Sequence, residues 1–131
     1  MQFVSDFFRM IINDKEYVFK LHDKTYHCAM DVTMSYIGGK WKTVVLWYLR
    51  NKTLRFGELK KQIPDITEKM LSLQLKALEE DGLVKREVYA EVPLRVEYSL
   101  TDFGKTLTPV IEAIAAWGRN LGEKEGEIVE V

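Results

Sequence analysis

The stretch Thr67-Glu68-Lys69-Met70-Leu71-Ser72-Leu73-Gln74-Leu75-Lys76-Ala77-Leu78-Glu79-Glu80-Asp81-Gly82 decides how the rest of the chain is read. Thr67 is suited to cap a helix and Asp81-Gly82 to end one, so a helix is expected over 67–81. At about 100° per residue, Leu71, Leu75 and Leu78 fall within roughly 60° of one another and must face a core. Glu68, Lys69, Ser72, Leu73 and Lys76 then lie on the opposite, outward side. A helix with this division has its fold on one edge and its chemistry on the other.

Working upstream, Phe56, Leu59 and Ile63 outline a shorter helix over about 56–63, which Pro64-Asp65 breaks. Before it, Trp41, Val44, Val45, Tyr48 and Leu49 form an apolar stripe that predicts a helix over 40–49. Asp31 is placed to cap an earlier short helix that stops at Gly38-Gly39. A short helix, a turn and a longer helix with a basic outer face make the helix-turn-helix pattern.

Downstream, 83–90 is rich in strand formers, and 95–100 alternates, with Val96, Tyr98 and Leu100 on one face and Glu97 and Ser99 on the other. Glu91-Val92-Pro93-Leu94 joins them, its proline unsuited to a central strand. A hairpin placed there is a wing. Thr101 is expected to cap a last helix running to about 121, with Leu107, Val110, Ile111, Ile114 and Leu121 along one stripe. That stripe outruns what so small a core requires, so Val110, Ile114, Trp117 and Leu121 are expected to meet a second subunit.

The predicted fold class is mainly α with a small β-hairpin (α+β): a winged helix-turn-helix of three core helices, a wing and a long C-terminal dimerisation helix, spanning 27–121. Residues 1–26 read as an extension. Apolar or β-favouring runs at 7–12 and 16–21 around Asn13-Asp14-Lys15 fit a hairpin, and an amphipathic helix over 3–12 fits equally. Residues 122–131 read as an acidic, flexible tail.

Composition bounds the function. At 131 residues, 47% hydrophobic and 30% charged, the chain has enough apolar material for one ordinary globular core. Its longest apolar runs, such as 44–49, fall far short of the roughly 20 residues a membrane span needs. Asp6 and Arg9 interrupt the apolar N-terminal stretch, so no signal peptide is read, and the lone Cys28 suits a reducing cytoplasm. Net charge is −1, yet the charge is unevenly spread. Between residues 40 and 62, Lys40, Lys42, Arg50, Lys52, Arg55, Lys60 and Lys61 stand against Glu58 alone, whereas 122–131 is acidic. A basic segment set apart from an acidic tail fits a phosphate-facing surface, though a solvated helix face would read the same.

Four stretches resemble the HxlR family of bacterial winged-helix transcriptional regulators, which is related to the MarR group. They are Ile37-Gly38-Gly39-Lys40-Trp41-Lys42; Arg55-Phe56-Gly57-Glu58-Leu59; Leu71, Leu75 and Leu78-Glu79 followed by Gly82-Leu83-Val84 and Arg86; and Pro93, Val96-Glu97-Tyr98, Leu100-Thr101 and Gly104. Cys28 also sits where that family carries a cysteine. The resemblance spans about 28–117 and implies a homodimer, held by its first and last helices, on operator DNA. It departs in the long N-terminal extension and in Leu94, which stands where a second proline is expected after Pro93.

In a winged helix the recognition helix lies in the major groove, and the wing reaches toward backbone or minor groove. Lys69, Ser72 and Lys76 are the candidates for groove contacts, Leu73 for a thymine methyl, and Thr67 for a phosphate at the helix N-terminus. Lys40, Lys42 and Arg55 suit phosphate positioning, although Arg55 fits pairing with Glu58 equally well. Lys85, Arg86 and Arg95 are the wing's cations; Arg86 and Arg95 also fit pairing with Glu87 or Glu97, and Glu91 near the tip would repel phosphate.

Trp41, Trp47 and Trp117 read as packing. Cys28 is more often a small buried residue than a sensor, but the resemblance includes members that respond to oxidants or electrophiles through this cysteine. His22, His27 and Cys28 match no metal-ligand spacing, and neither a metal nor a cofactor is called for. Gly39-Lys40 looks like the end of a P-loop, but Met34 and Trp41 occupy its first-glycine and Ser/Thr positions. No catalytic motif is present, so the rival to a DNA-binding regulator is a winged helix used purely as a protein-interaction module.

Overall fold

A computed structural model of the chain describes residues 11–16, 18–26 and 28–131. The chain packs as two compact units, Met1–Gly39 and Lys40–Val131. The helical alternative over 3–12 and the strand alternative over 7–12 fall mostly outside the described residues.

The first unit contains two hairpins. Strands β1 (Ile11–Ile12) and β2 (Lys15–Glu16) pair antiparallel, with Ile12 opposite Lys15. Asn13 and Asp14 turn the chain at φ 52 and 62°, the left-handed conformation that a two-residue hairpin requires and that Asn and Asp tolerate. Strands β3 (Phe19–Leu21) and β4 (Lys24–Tyr26) repeat the device around His22 and Asp23, at φ 49 and 64°. This second hairpin was not expected, because His-Asp is a weak turn signal. Helix α1 (Ala29–Ile37) follows. Its N-cap position is Cys28 rather than Asp31: the extended backbone ends at Cys28, and Asp31 lies in the first turn, where a carboxylate favours the positive helix end. Gly39, at φ +91°, separates α1 from the next helix.

In the second unit, α2 (Lys40–Leu49) packs against α4 (Glu68–Glu80), the last helix and the central strand. The face it buries is rotated from the predicted stripe. Val45, Leu46 and Leu49 are buried, while Trp41, Val44 and Tyr48 are half-buried. Helix α3 (Phe56–Gln62) buries Leu59, and Ile63 and Ile66 are buried in the turn that follows. Leu71, Leu75 and Leu78 of α4 are all buried, as the spacing requires, and full burial of each such side chain contributes roughly 2–3 kcal/mol.

Helix α4 ends in a Schellman motif. The Leu83 amide donates to the Leu78 carbonyl at 2.9 Å and the Gly82 amide to Glu79 at 3.0 Å, with Gly82 at φ +76°. The chain emerges into β6 (Val84–Tyr89), which pairs antiparallel with β7 (Arg95–Leu100) from Val84 opposite Leu100 to Tyr89 opposite Arg95. A two-residue strand, β5 (Leu54–Arg55), pairs with the other edge of β7, giving the order β5-β7-β6. Because β7 is central and partly covered on both faces, its predicted in-out alternation is blunted.

The expected single C-terminal helix is two. A short α5 (Asp102–Lys105) is capped by Thr101, whose Oγ1 accepts from the Gly104 amide at 2.9 Å. The long α6 (Thr108–Glu125) then starts afresh, since Pro109 suits a first turn and cannot continue a helix. It runs on into the stretch read as an acidic tail. Among the described residues no helix is long and apolar enough to cross a membrane.

Candidate nucleic-acid interface

The outer edge of helix α4 is exposed, with Glu80 one turn after Lys76. Thr67, Lys69, Ser72, Leu73 and Lys76 are all exposed, with Leu73 at 52%. Thr67 Oγ1 accepts from the Met70 amide at 3.0 Å, which fixes the helix start and leaves its O–H to donate outward. Neither Lys69 nor Lys76 pairs with a carboxylate among the described residues. With about 1.5 Å rise per residue, the three polar positions Lys69, Ser72 and Lys76 span roughly 10 Å of one helix edge.

The cations around α4 divide into engaged and available ones. Glu58 accepts from the Arg55 backbone N–H at 2.8 Å rather than from its side chain, so the capping interaction leaves the Arg55 guanidinium unpaired among the described residues. Lys42 is half-buried, and Lys40 Nζ stands 4.4 Å from the centre of the Trp41 ring. Lys60 Nζ donates to the Pro64 carbonyl at 3.2 Å. Arg50 is stacked 3.4 Å above the Trp47 ring, and one of its terminal nitrogens donates to the Trp47 carbonyl at 2.7 Å.

On the wing, the predicted cations do not act alike. Strand alternation sends Lys85 and Arg86 to opposite faces. Lys85 Nζ pairs with Glu87 Oε1 at 2.7 Å, and the Tyr89 hydroxyl donates to Glu87 Oε2 at 2.7 Å. These bonds, the one from Lys85 most of all, hold the Glu87 carboxyl below its ordinary value; the same contact raises Lys85, and Tyr89 is raised by its bond to Glu87. Arg95 is ion-paired to Glu91 at 3.1 Å and Glu97 at 3.0 Å and lies 4.0 Å from the centre of the Tyr89 ring. One cation is shared by these two carboxylates, so the repulsion expected of Glu91 at the tip is reduced but not removed. Arg86 remains exposed and makes no ion pair with a described residue.

A third surface lies on α6. Val110, Ile114, Trp117 and Leu121 fall within roughly 60° on the helix, and all are exposed, Trp117 by 70%. Ile111, one step around, is buried. Beside this stripe an apolar hollow of about 280 Å³ is walled by Val44, Trp47 and Tyr48 of α2 and Ile111, Ile114 and Ala115 of α6. It accounts for the rotated face of α2, whose aromatic side lines the hollow and not the core. Cys28 is half-buried at the start of α1. His27 lies outside the described residues, and among those described no three His, Cys, Asp or Glu side chains cluster as a metal site would.

Comparison with known proteins agrees with this geometry. The profile of the HxlR-like helix-turn-helix family matches residues 36–126. An HTH-type transcriptional regulator of Methanothermobacter thermautotrophicus is 47% identical over 108 residues, 80% of this chain and 82% of that protein. The redox regulator HypR in its oxidised form superposes with a TM-score of 0.69 at 44% identity, over 77% of this chain and 100% of that one. Its reduced form gives 0.68 at 46%, over 70% and 91%. A helix-turn-helix, a paired wing and these kinships meet in one conclusion: the chain belongs to the HxlR-like helix-turn-helix family and is a DNA-binding transcriptional regulator, not an enzyme.

Proposed function

We propose that the protein acts in the cytoplasm as a homodimer that binds a pseudo-palindromic operator, with α4 of each copy in a major groove. The observation that carries this reading is the outer strip of α4. Lys69, Ser72 and Lys76 stand exposed around Leu73, opposite three leucines committed to the core. Lysine and serine at these positions meet base edges or phosphates, Leu73 supplies an apolar contact of the kind a thymine methyl accepts, and Thr67 a phosphate anchor. Lys40, Lys42 and Arg55 add backbone contacts, and Arg86 is the wing's available cation. The exposed α6 stripe supports dimerisation, because an apolar strip of this length is best covered by its own symmetry mate. Fluorescence anisotropy with duplex DNA from the region beside the protein's own gene, at two salt concentrations, tests the reading. Saturable, salt-sensitive binding that is lost in Lys69→Ala/Lys76→Ala supports it; unchanged affinity in that variant rejects the assignment of the α4 face.

A second layer is redox control through Cys28, favoured by the similarity to a redox regulator solved in two oxidation states. With one cysteine per chain, a disulfide at Cys28 needs a sulfur partner from outside the chain, here a small disulfide that acts as the oxidant. The Cys28 thiolate attacks it, one S–S bond replaces another, and one small thiolate leaves. Diamide with glutathione should then weaken operator binding in the native protein and leave Cys28→Ser unaffected. Equal responses of the two proteins eliminate Cys28 as the switch.

A further inference from the structure

At the base of the wing, away from its tip, lies a cavity of about 400 Å³. Its wall draws Arg50, Asn51 and Lys52 from the loop after α2, Lys85 and Ser99 from the wing strands, and Lys105 from the end of α5. Among the described residues no acidic side chain lines it. Four cations therefore converge from three separate segments, with an amide and a hydroxyl between them. Small-molecule pockets of this size, roughly 300–1,000 Å³, are usually apolar with a few polar anchors. This wall inverts that balance.

The charges are also incompletely satisfied from within. Arg50 Nε is buried and finds no hydrogen-bond partner among the described residues, while its guanidinium stacks on Trp47, which lies outside the cavity wall. Lys52 and Lys105 are exposed and make no ion pair with a described residue. Lys85 does have a partner, Glu87, so an anion entering the cavity would share its ammonium with that carboxylate. An arginine and three lysines lining one cavity, with an amide and a hydroxyl among them, is a set of donors that recognises phosphate or carboxylate.

The cavity lies at the inner end of the wing, apart from its tip. Lys85 is opposite Ser99 near the inner end of the hairpin, and Tyr89 opposite Arg95 closes its outer end. Four residues of strand at about 3.3 Å each put the cavity roughly 13 Å short of the tip.

We infer that this cavity is a binding site for a small polyanion, a metabolite carrying phosphate or clustered carboxylate groups, seated on Arg50, Lys52, Lys85 and Lys105. Because Lys85 and Ser99 belong to the wing itself, an occupant is positioned to change the wing's ion pairs without touching DNA.

The test is a titration of the full-length ¹⁵N-labelled protein with pyrophosphate, followed by amide shifts. Saturable changes confined to Asn51, Lys52, Thr53, Ser99 and Lys105 are expected. Lys52→Ala/Lys105→Ala should weaken binding about tenfold or more, while Lys52→Arg/Lys105→Arg, which keeps both charges, should bind within about threefold of the native protein. Lys20→Ala/Lys24→Ala, on the other unit, should change nothing. Shifts that never saturate, or that spread over surface lysines generally, overturn the site, as does native affinity in the alanine variant. A parallel titration with operator-length duplex separates the two sources of phosphate. DNA should move α4 amides and leave the cavity amides in place; if duplex instead fills the cavity and displaces pyrophosphate, the cations belong to the DNA interface and the metabolite site is refuted.

Discussion

The Thr101 hydroxyl donates to the Gly82 carbonyl at 2.6 Å, across 19 residues of sequence. The same oxygen accepts from the Gly104 amide, and the Thr101 amide donates to Leu83 at 3.1 Å. One threonine thus ties the end of α4 to the start of the C-terminal helices. Thr101→Val should cost about 1–2 kcal/mol, since both a cap and a cross-link are lost. Gly104→Ala should cost about 1–3 kcal/mol, because an added Cβ would run into the backbone carbonyl of Leu83. Urea unfolding of the two variants checks both values.

The two edges of α4 should separate stability from binding. Lys69→Ala and Lys76→Ala are each expected to cost about 1 kcal/mol of operator affinity, roughly thirtyfold together, with little change in unfolding midpoint. Leu71→Ala is expected to destabilise the fold by about 2–5 kcal/mol through the cavity it leaves. Anisotropy and chemical denaturation run side by side would distinguish these outcomes. A charge-paired Lys76 would leave affinity unchanged and refute the strip.

Arg86 and Arg95 stand on the same hairpin but should give opposite results. Arg86→Ala should weaken DNA binding and flatten the salt dependence by about one unit of slope. Arg95→Ala should leave affinity within about twofold and instead loosen the wing, because it releases Glu91, Glu97 and the Tyr89 ring together. Hydrogen exchange of amides in 84–100 reads the second effect.

The wing's stability should also depend on pH in a defined sense. Glu87 is depressed from its ordinary 4.5, so its contribution is present above that value and fades as pH falls through the lower, folded one. Lys85 is raised from 10.5, so its contribution is present below that value and fades as pH rises through the higher, folded one. The difference in wing hydrogen exchange between native protein and Glu87→Gln should therefore be flat between these limits and close on either side. A difference that grew on acidification would contradict the pairing.

Trp117→Arg tests the α6 stripe. Sedimentation should show a monomer, and operator affinity should drop about a hundredfold as the gain from joining two half-sites disappears. A variant that remains dimeric places the interface elsewhere.

Much of this was legible beforehand, for physical reasons that particular residues make plain. Leu71, Leu75 and Leu78 announce a helix and its buried edge because helical periodicity is local, and Thr67 and Gly82 mark its ends by chemistry confined to a turn. Strand β5 was invisible: two residues carry no periodicity, and Leu54–Arg55 becomes a strand only through pairing with β7. The rotation of α2 was equally hidden, since Leu46 and Val44 are alike as side chains and only the neighbours on each side decide which is buried. The cations could be counted but not sorted. Whether Arg95 faces DNA or Glu97 depends on rotamers and register, and the convergence of Arg50, Lys85 and Lys105 depends on three segments meeting.

The carboxylate cage around Arg95 bears on kinetics. It cancels charge at the wing, and the chain as a whole carries −1. Beyond a Debye length of about 8–10 Å the molecule therefore looks nearly neutral to a DNA polyanion. Encounter should proceed at an unsteered rate of about 10⁵–10⁶ M⁻¹s⁻¹, and discrimination between sites should reside in how long the protein stays. On the proposed reading of α4, one site is then told from another by the lifetime of the complex and not by the rate of meeting it.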